Sequence, residues 1–247
     1  MKCLGRPAAL FCLFTLLLFP IACTTISSGS DATPSGSASE QNDSESNSSN
    51  EDLYLAGNKA IALLLAHGRG KDPAWLVVEP LRHAVQQQLG YHTLSLQMPN
   101  DDIEFNDFGD EFPKAYAVFK RAIARLQKLG INKIYLMGHS MGARMASAFI
   151  AEYPKTPIAG LIVAGCRNNG GEPLACDHNL QMIDIPVLDI WGAANRKDRT
   201  AAAQRTYLKS PQYRQVAIDG ANHTFEGKET EFTSAVVEWL REQNTHE

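Results

Sequence analysis

A serine stands at the centre of a short motif that could do acyl-transfer chemistry. The motif, Gly138–Gly142, reads Gly-His-Ser-Met-Gly. The stretch before it, Ile131–Met137, is short and apolar, which predicts a buried strand. The stretch after it, Ala143–Tyr153, contains neither Gly nor Pro and is rich in Ala, which predicts a helix. A sharp turn between strand and helix exposes a serine hydroxyl, so we interpret the motif as a nucleophile elbow with Ser140 as the nucleophile.

A histidine that could serve as the general base follows 83 residues later, at His223. It ends the segment Ala217–His223, where a predicted strand runs into a loop shortly before a helix expected near residues 228–242. A base that activates a serine needs a pKa near neutrality and a loop position from which it reaches the hydroxyl. His139 is expected to point away from the site and His67 to shape the loop after an early strand. The other histidines lie in less suitable contexts, namely His83, His92, His178 and His246.

Taken together, these motifs resemble those of the α/β-hydrolase superfamily, and they occur along the chain in the same order as in that family. A His-Gly pair at His67–Gly68 is followed by the elbow, by an acid-bearing strand end and by the late histidine. The resemblance covers most of residues 56–243. Within the superfamily, the chain resembles a group of uncharacterised small bacterial hydrolase-like proteins. The segments that carry this second resemblance are Tyr91–Pro99, Pro186–Gly192 and Tyr213–Val216.

The resemblance implies an oxyanion hole built from two backbone N–H groups. One belongs to Met141, which follows the nucleophile, and the other to Arg69, in the loop after the first predicted strand. The side chain of Arg69 is expected either to meet an anionic substrate or to be a solvated surface group.

The acid of a catalytic triad is where the sequence departs from the family pattern. The family usually places the acid three residues after the glycine that ends the preceding strand. That glycine is Gly192 in this sequence, and the residue three positions later is Asn195. Asp198 lies three residues further along the same predicted loop. Asp189 lies inside the predicted strand, where a buried carboxylate paired with donors is the alternative interpretation. Asn195 could hold an imidazole by a hydrogen bond, although an amide stabilises an imidazolium less than a carboxylate does. We expect Asp198 to be the acid, with Asp189 and Asn195 as alternatives.

The N-terminal residues indicate export. Lys2 and Arg6 precede an apolar stretch that is too short for a stable membrane span, which is typical of a signal peptide. A small residue followed by Cys23 resembles a bacterial lipoprotein cleavage site, so residues 1–22 are predicted to be the signal and Cys23 the lipidated residue. Ordinary secretory cleavage nearby is the alternative. We expect a protein of the cell envelope, anchored by lipid on the periplasmic side.

The next segment, residues 23–52, is predicted to be a disordered tether. Between residues 24 and 52 there are ten serines and six acidic residues but no basic residue. Such a composition cannot bury enough apolar surface to offset the entropy of ordering. The remaining domain, residues 53–247, has 21 basic and 21 acidic residues. This neutral balance argues against a nucleic-acid partner.

Two cysteines of the domain, Cys166 and Cys176, flank a polar, turn-rich loop. An oxidising compartment favours a disulfide that closes this loop, and two buried free thiols are the alternative. The sequence contains no motif typical of a metal or nucleotide cofactor, so none is predicted.

Strands and helices are predicted to alternate through the domain, which indicates a mostly parallel sheet of about six to seven strands covered by helices on both faces. The predicted strands are 60–66, 91–97, 131–137, 158–164, 186–191 and 213–218, and the predicted helices are 73–89, 111–129, 141–153, 199–209 and 228–242. No large cap domain is expected, because residues 165–185 are too few. An aromatic subsite is one interpretation, and core packing the other, for Phe105, Phe108 and Phe112.

The function that these residues favour is hydrolysis of a small acyl ester or thioester through an acyl-enzyme, as in carboxylesterases and thioesterases. A peptidase or acyl transferase would use the same triad. A non-catalytic envelope lipoprotein that uses the fold as a binding module is the alternative from another class, supported by Asn195 at the acid position.

Overall fold

A seven-stranded sheet forms the centre of the computed structural model, which describes residues 51–99, 102–208 and 212–245. The strand order is β1-β3-β2-β4-β5-β6-β7. β1 pairs antiparallel with β3, and every other neighbouring pair is parallel. The strands are β1 Leu53–Leu55, β2 Ile61–Ala66, β3 His92–Leu96, β4 Lys133–His139, β5 Ile158–Ala164, β6 Val187–Gly192 and β7 Tyr213–Ile218.

Helices cover both faces of the sheet, because the buried strands are apolar on both sides. Along β5, Leu161 and Val163 pack into one core, while Ile162 and Ala164 pack into the other. Helices α2, α3 and α4 cover the first core, and α1 and α6 cover the second. The helices are α1 Val78–Leu89, α2 Phe112–Lys128, α3 Met141–Glu152, α4 Cys176–Gln181, α5 Arg196–Gln204 and α6 Glu229–Glu242, with a 3₁₀ helix at Phe105–Glu111 before α2.

The predicted fold class is confirmed: the sheet is mostly parallel, and the described residues contain no large cap. Between β5 and β6 the chain forms only the six-residue helix α4 and its loops. The elements predicted from the sequence do not include β1, α4 or the 3₁₀ helix. β1 has three residues, and α4 has six, so neither is long enough to show a periodic pattern.

One boundary of the prediction was wrong in a way that matters for the site. Helix α5 was expected at 199–209, which left Asp198 in a loop, but it runs from Arg196 to Gln204. The side chain of Asn195 accepts a hydrogen bond from the backbone N–H of Asp198 and so caps the helix. Asp198 therefore lies in the first turn of α5, where its backbone is fixed.

The predicted signal and almost all of the predicted tether, residues 1–50, lie outside the described residues, and Cys23 lies with them. In the part of the chain that the structure describes, none of the helices has the length and apolar character required to cross a membrane.

Candidate active site

Ser140 lies in a tight turn between β4 and α3, as the elbow motif predicts. Its backbone has φ 53° and ψ −111°, a conformation that non-glycine residues rarely adopt. The two glycines of the motif make the close packing possible. A Cβ on Gly142 would lie 2.3 Å from the carbonyl oxygen of Ala66, and one on Gly138 would lie 2.4 Å from the carbonyl oxygen of Gly142. The elbow is therefore pressed against the end of β2, where larger residues do not fit.

Three side chains from three separate segments meet at this turn. His223 Nε2 lies 2.9 Å from Ser140 Oγ, and His223 Nδ1 lies 2.6 Å from Asp198 Oδ2. A carboxylate only accepts hydrogen bonds, so Nδ1–H donates to Asp198 and the lone pair of Nε2 is left to accept the Ser140 hydroxyl proton. This is the tautomer that a general base requires. The structure thus brings together Ser140, His223 and Asp198, the three residues that the sequence predicts as catalytic.

Asp198 is kept ionised by its neighbours. Burial alone would raise the pKa of this carboxyl, but the hydrogen bond and charge of His223, followed by those of Arg167, lower the pKa below its ordinary value. The Nε–H of Arg167 donates to Oδ1 at 2.7 Å. A lowered pKa in the folded state contributes stability above the unfolded pKa of about 3.9, and this contribution is lost as the pH falls through the folded value. Asp198 therefore remains a carboxylate throughout the neutral and mildly acidic range.

The two alternative acids have other roles. Asp189 is fully buried and forms a paired salt bridge with Arg205, in which Nε and Nη2 donate at 2.9 and 2.8 Å. The hydroxyl of Tyr213 also donates to it, at 2.5 Å. Asn195 caps helix α5, as described above. The alternative prediction, that Asp189 or Asn195 orients His223 in place of Asp198, therefore has no geometric support.

His139 and His67 support the site from behind. The sequence predicts that His139 points away from the site, and its ring is indeed buried, but Nε2–H donates to the backbone carbonyl of His223 at 2.9 Å. Burial, and then the charge of His223, lower the pKa of His139 to about 3, so its ring is neutral. His67 donates from Nδ1 to the carbonyl of Gly68 at 2.9 Å and accepts at Nε2 from the N–H of Met98 at 3.1 Å. It therefore shapes the loop after β2, as expected.

A cleft of about 210 Å³ opens beside the Ser140 hydroxyl. Met141, the first residue of α3, lines it, and the N–H groups of the first helical turn have no partner within the helix. Arg69, in the loop after β2, lines the cleft as well. Both residues predicted to supply oxyanion donors thus border the space next to the nucleophile.

The aromatic residues predicted near the site divide into two groups. Phe105 borders the cleft. Phe108 and Phe112 are 0% and 1% exposed and pack in the core, so for them the alternative interpretation as core residues is the correct one. Phe108 lies within the 3₁₀ helix, and Phe112 is the first residue of α2.

One wall of the cleft is a loop that is closed by a disulfide between Cys166 and Cys176, whose Cα atoms are 6.0 Å apart. Arg144, which is 4% exposed, fastens this loop to helix α3. Its guanidinium donates to the carbonyls of Asn169 and Leu174 at 2.6 and 2.5 Å. Arg144 and Arg167 were not predicted from the sequence, because an arginine on an apolar helix or in a polar loop gives no local signal of its partner.

Groups of three or more side chains suited to binding a metal ion are absent among the described residues.

The chain matches one family of known proteins. A family model described as "Protein of unknown function (DUF3530)" matches residues 112–242, which include the elbow, Asp198 and His223. The chain belongs to this family. No curated protein matches the chain.

Solved structures share the fold of this DUF3530 protein. Dienelactone hydrolase from Anabaena variabilis has a TM-score of 0.63 and 22% identity, covering 77% of this chain and 90% of that one. Est1E from Butyrivibrio proteoclasticus, with ferulic acid bound, has a TM-score of 0.62 and 16% identity, covering 78% and 94%. An alpha-beta serine hydrolase homologue from Coxiella burnetii has a TM-score of 0.61 and 18% identity, covering 76% and 90%. The protein therefore has the α/β-hydrolase fold, as the sequence motifs predict.

Proposed function

We propose that this protein is a serine hydrolase that cleaves a small acyl ester or thioester through an acyl-enzyme. The observation that carries the proposal is the continuous chain of hydrogen bonds from Ser140 through His223 to Asp198, at 2.9 and 2.6 Å. Each contact lies within the reach that proton transfer requires. The fold of the structural neighbours is consistent with this chemistry.

The reaction follows from the positions of these groups. Ser140 Oγ attacks the acyl carbon while its proton passes to His223 Nε2, and Asp198 stabilises the resulting imidazolium. The N–H groups of Met141 and Arg69 hold the oxyanion. The bond to the alcohol or thiol breaks as His223 returns the proton to the leaving group, and the acyl group stays on Ser140. Water then attacks the acyl-enzyme by the same route and releases the acid.

An ester or thioester is favoured over a peptide by the shape of the site. The space directly beside Ser140 measures about 210 Å³, which suits a short acyl group. A peptidase or acyl transferase with the same triad remains the second enzymatic candidate. A binding module without catalysis rested on Asn195 at the acid position, and the contact between Asp198 and His223 removes that support.

Turnover of 4-nitrophenyl acetate and butyrate by the purified domain tests the proposal. We expect hydrolysis by the wild-type protein and loss of it in the Ser140→Ala and His223→Ala variants. Turnover that survives in both variants, or an absence of turnover in a folded wild-type protein, would contradict an esterase.

A further inference from the structure

The cleft beside Ser140 has positively charged walls. Three arginines line it, Arg69, Arg144 and Arg167, and no carboxylate side chain is among its described lining residues. A larger groove of about 770 Å³ adjoins the cleft, because both are lined by Arg167 and Asn169. The two spaces are therefore neighbours that share these two residues, and the smaller one borders the proposed nucleophile.

Arg144 brings a buried positive charge to this surface. It donates hydrogen bonds to the carbonyls of Asn169 and Leu174 and to the side-chain oxygen of Asn169, and among the described residues it makes no ion pair. Burial, and then the charges of Arg167 and Arg205, lower the pKa of Arg144 to about 10, which still leaves it protonated at neutral pH. Neutral acceptors satisfy its hydrogens without cancelling its charge, so its field reaches the cleft.

The groove adds two more cations. Arg196 and Lys197 line it and are exposed, and neither makes an ion pair within residues 51–99, 102–208 and 212–245. Asp177 is the one carboxylate among the groove's described lining residues, and Arg167 is matched by Asp198. Positive charge is thus in excess here, although residues 53–247 carry 21 basic and 21 acidic residues. The positive charge is therefore local to the groove, because the domain as a whole has equal numbers of basic and acidic residues.

The wall of the groove is held in place before any ligand binds. Asn168 donates from its side chain to the carbonyl of Ala201 at 3.1 Å and to Gln204 Oε1 at 3.0 Å, which ties the loop to helix α5. The disulfide from Cys166 to Cys176 closes the same loop. A fixed wall lowers the entropic cost of binding a charged ligand.

We propose that the substrate is an anionic ester or thioester, whose acyl group binds in the cleft and whose alcohol or thiol part carries a carboxylate or phosphate that binds in the groove. This inference rests on the proposed function of Ser140. The volumes of the two spaces agree with this placement of the two parts of the substrate. The cleft measures about 210 Å³ and suits a short acyl group, whereas the groove measures about 770 Å³ and suits a larger alcohol or thiol part. His223 protonates the oxygen or sulfur of the leaving group as its bond to the acyl carbon breaks. The released alcohol or thiol still carries the negative charge of its carboxylate or phosphate.

Matched pairs of esters test the proposal. The carboxylate arm compares 3-carboxy-4-nitrophenyl acetate with 4-nitrophenyl acetate, and the phosphate arm compares 1-acetylglycerol 3-phosphate with 1-acetylglycerol. We expect kcat/KM to favour the anionic member by about tenfold in at least one arm, as one or two exposed ion pairs would give. The preference should shrink as salt rises from 0.05 to 0.5 M, because exposed charges are screened. Equal kcat/KM in both arms would overturn the proposal.

The double variant Arg196→Gln/Lys197→Gln tests the groove itself. It should reduce the ratio of anionic to neutral kcat/KM most of the way to one. Arg199→Gln is the matched control, because Arg199 is exposed on the same helix and does not line the groove. A control that lowers the ratio as much as the double variant would show a general charge effect and would overturn the proposed groove.

A binding measurement separates this proposal from the proposed function. Titration calorimetry with the Ser140→Ala protein compares 1-acetylglycerol 3-phosphate with 1-acetylglycerol without any turnover. Tighter binding of the anionic ester supports the groove even if the wild-type protein hydrolyses neither compound. Equal or absent binding of both compounds, together with normal hydrolysis of 4-nitrophenyl acetate, leaves the esterase intact and rejects the anionic substrate.

Discussion

At the scale of single residues, the acid is the part of the site that the sequence left open. Asp198 is 1% exposed and divides its two oxygens between His223 and Arg167. The sequence predicted a loop residue here, and this was wrong, because Asp198 lies in the first turn of α5. A substitution that removes the carboxylate therefore affects both the chemistry and the ion pair with the half-buried Arg167.

Replacing Asp198 with Asn separates these two effects. Asn keeps the volume and one oxygen for the Nε–H of Arg167, but its amide favours the wrong tautomer of His223. We expect kcat for 4-nitrophenyl acetate to fall by about three to four orders of magnitude, as the equivalent change does in a serine protease. Thermal unfolding should change much less than it does in Asp198→Ala, which leaves Arg167 without its partner. A kcat within tenfold of wild type would remove Asp198 from the mechanism.

Asp189 provides the contrasting case. It lies in the buried ion pair with Arg205 and also accepts from Tyr213. We expect Asp189→Ala to lower the free energy of unfolding by about 3–5 kcal/mol, because a buried arginine is left unpaired. The surviving folded protein should retain its kcat, measured well below its melting temperature. A kcat loss as large as that of Asp198→Asn, with unchanged stability, would reverse the roles assigned to the two carboxylates.

At the scale of elements, the disulfide loop connects stability to the site. It carries Arg167, Asn168 and Asn169 along one wall and spans a sequence separation of 10 between Cys166 and Cys176. Replacing both cysteines with Ser should lower the free energy of unfolding by about 2–3 kcal/mol, the range for closing a short loop. Chemical denaturation with and without reductant measures this loss. A wild-type protein that reductant does not destabilise would contradict the contribution of the bridge.

The elements that could be predicted are those with a strong local pattern. The elbow, the buried strands and the long helices follow from apolar runs and from the two glycines. The start of α5 was missed although the sequence carries a signal for it, because Asn is a common helix N-cap and an acidic residue, Asp198, follows in the first turn. Asn195 was assigned to a loop because it stands at the family's usual acid position. The partners of Arg144 and Arg167 depend on contacts between distant segments, which no local pattern encodes. The sequence therefore predicted Ser140 and His223 directly but left the acid open.

At the scale of the whole molecule, we propose that a lipid anchor accompanies a domain with equal numbers of basic and acidic residues. Export and lipidation at Cys23 rest on the sequence alone. Cys23→Ser should move the protein from the membrane fraction to the soluble periplasmic fraction, because the acyl chains that hold it would be missing. Fractionation of cells followed by immunoblotting measures this. Partitioning equal to wild type would count against lipidation and favour another mode of attachment.

The most direct test of the central claim is covalent labelling of Ser140 by a fluorophosphonate. This probe reacts with a serine only where a neighbouring base activates the hydroxyl. We expect the intact protein to gain one label, mapped by mass spectrometry to the peptide that contains Ser140, with no label on Ser140→Ala and slow labelling of His223→Ala. A folded wild-type protein that remains unlabelled, or one labelled at another residue, would contradict the proposal that Ser140 is the nucleophile of a serine hydrolase.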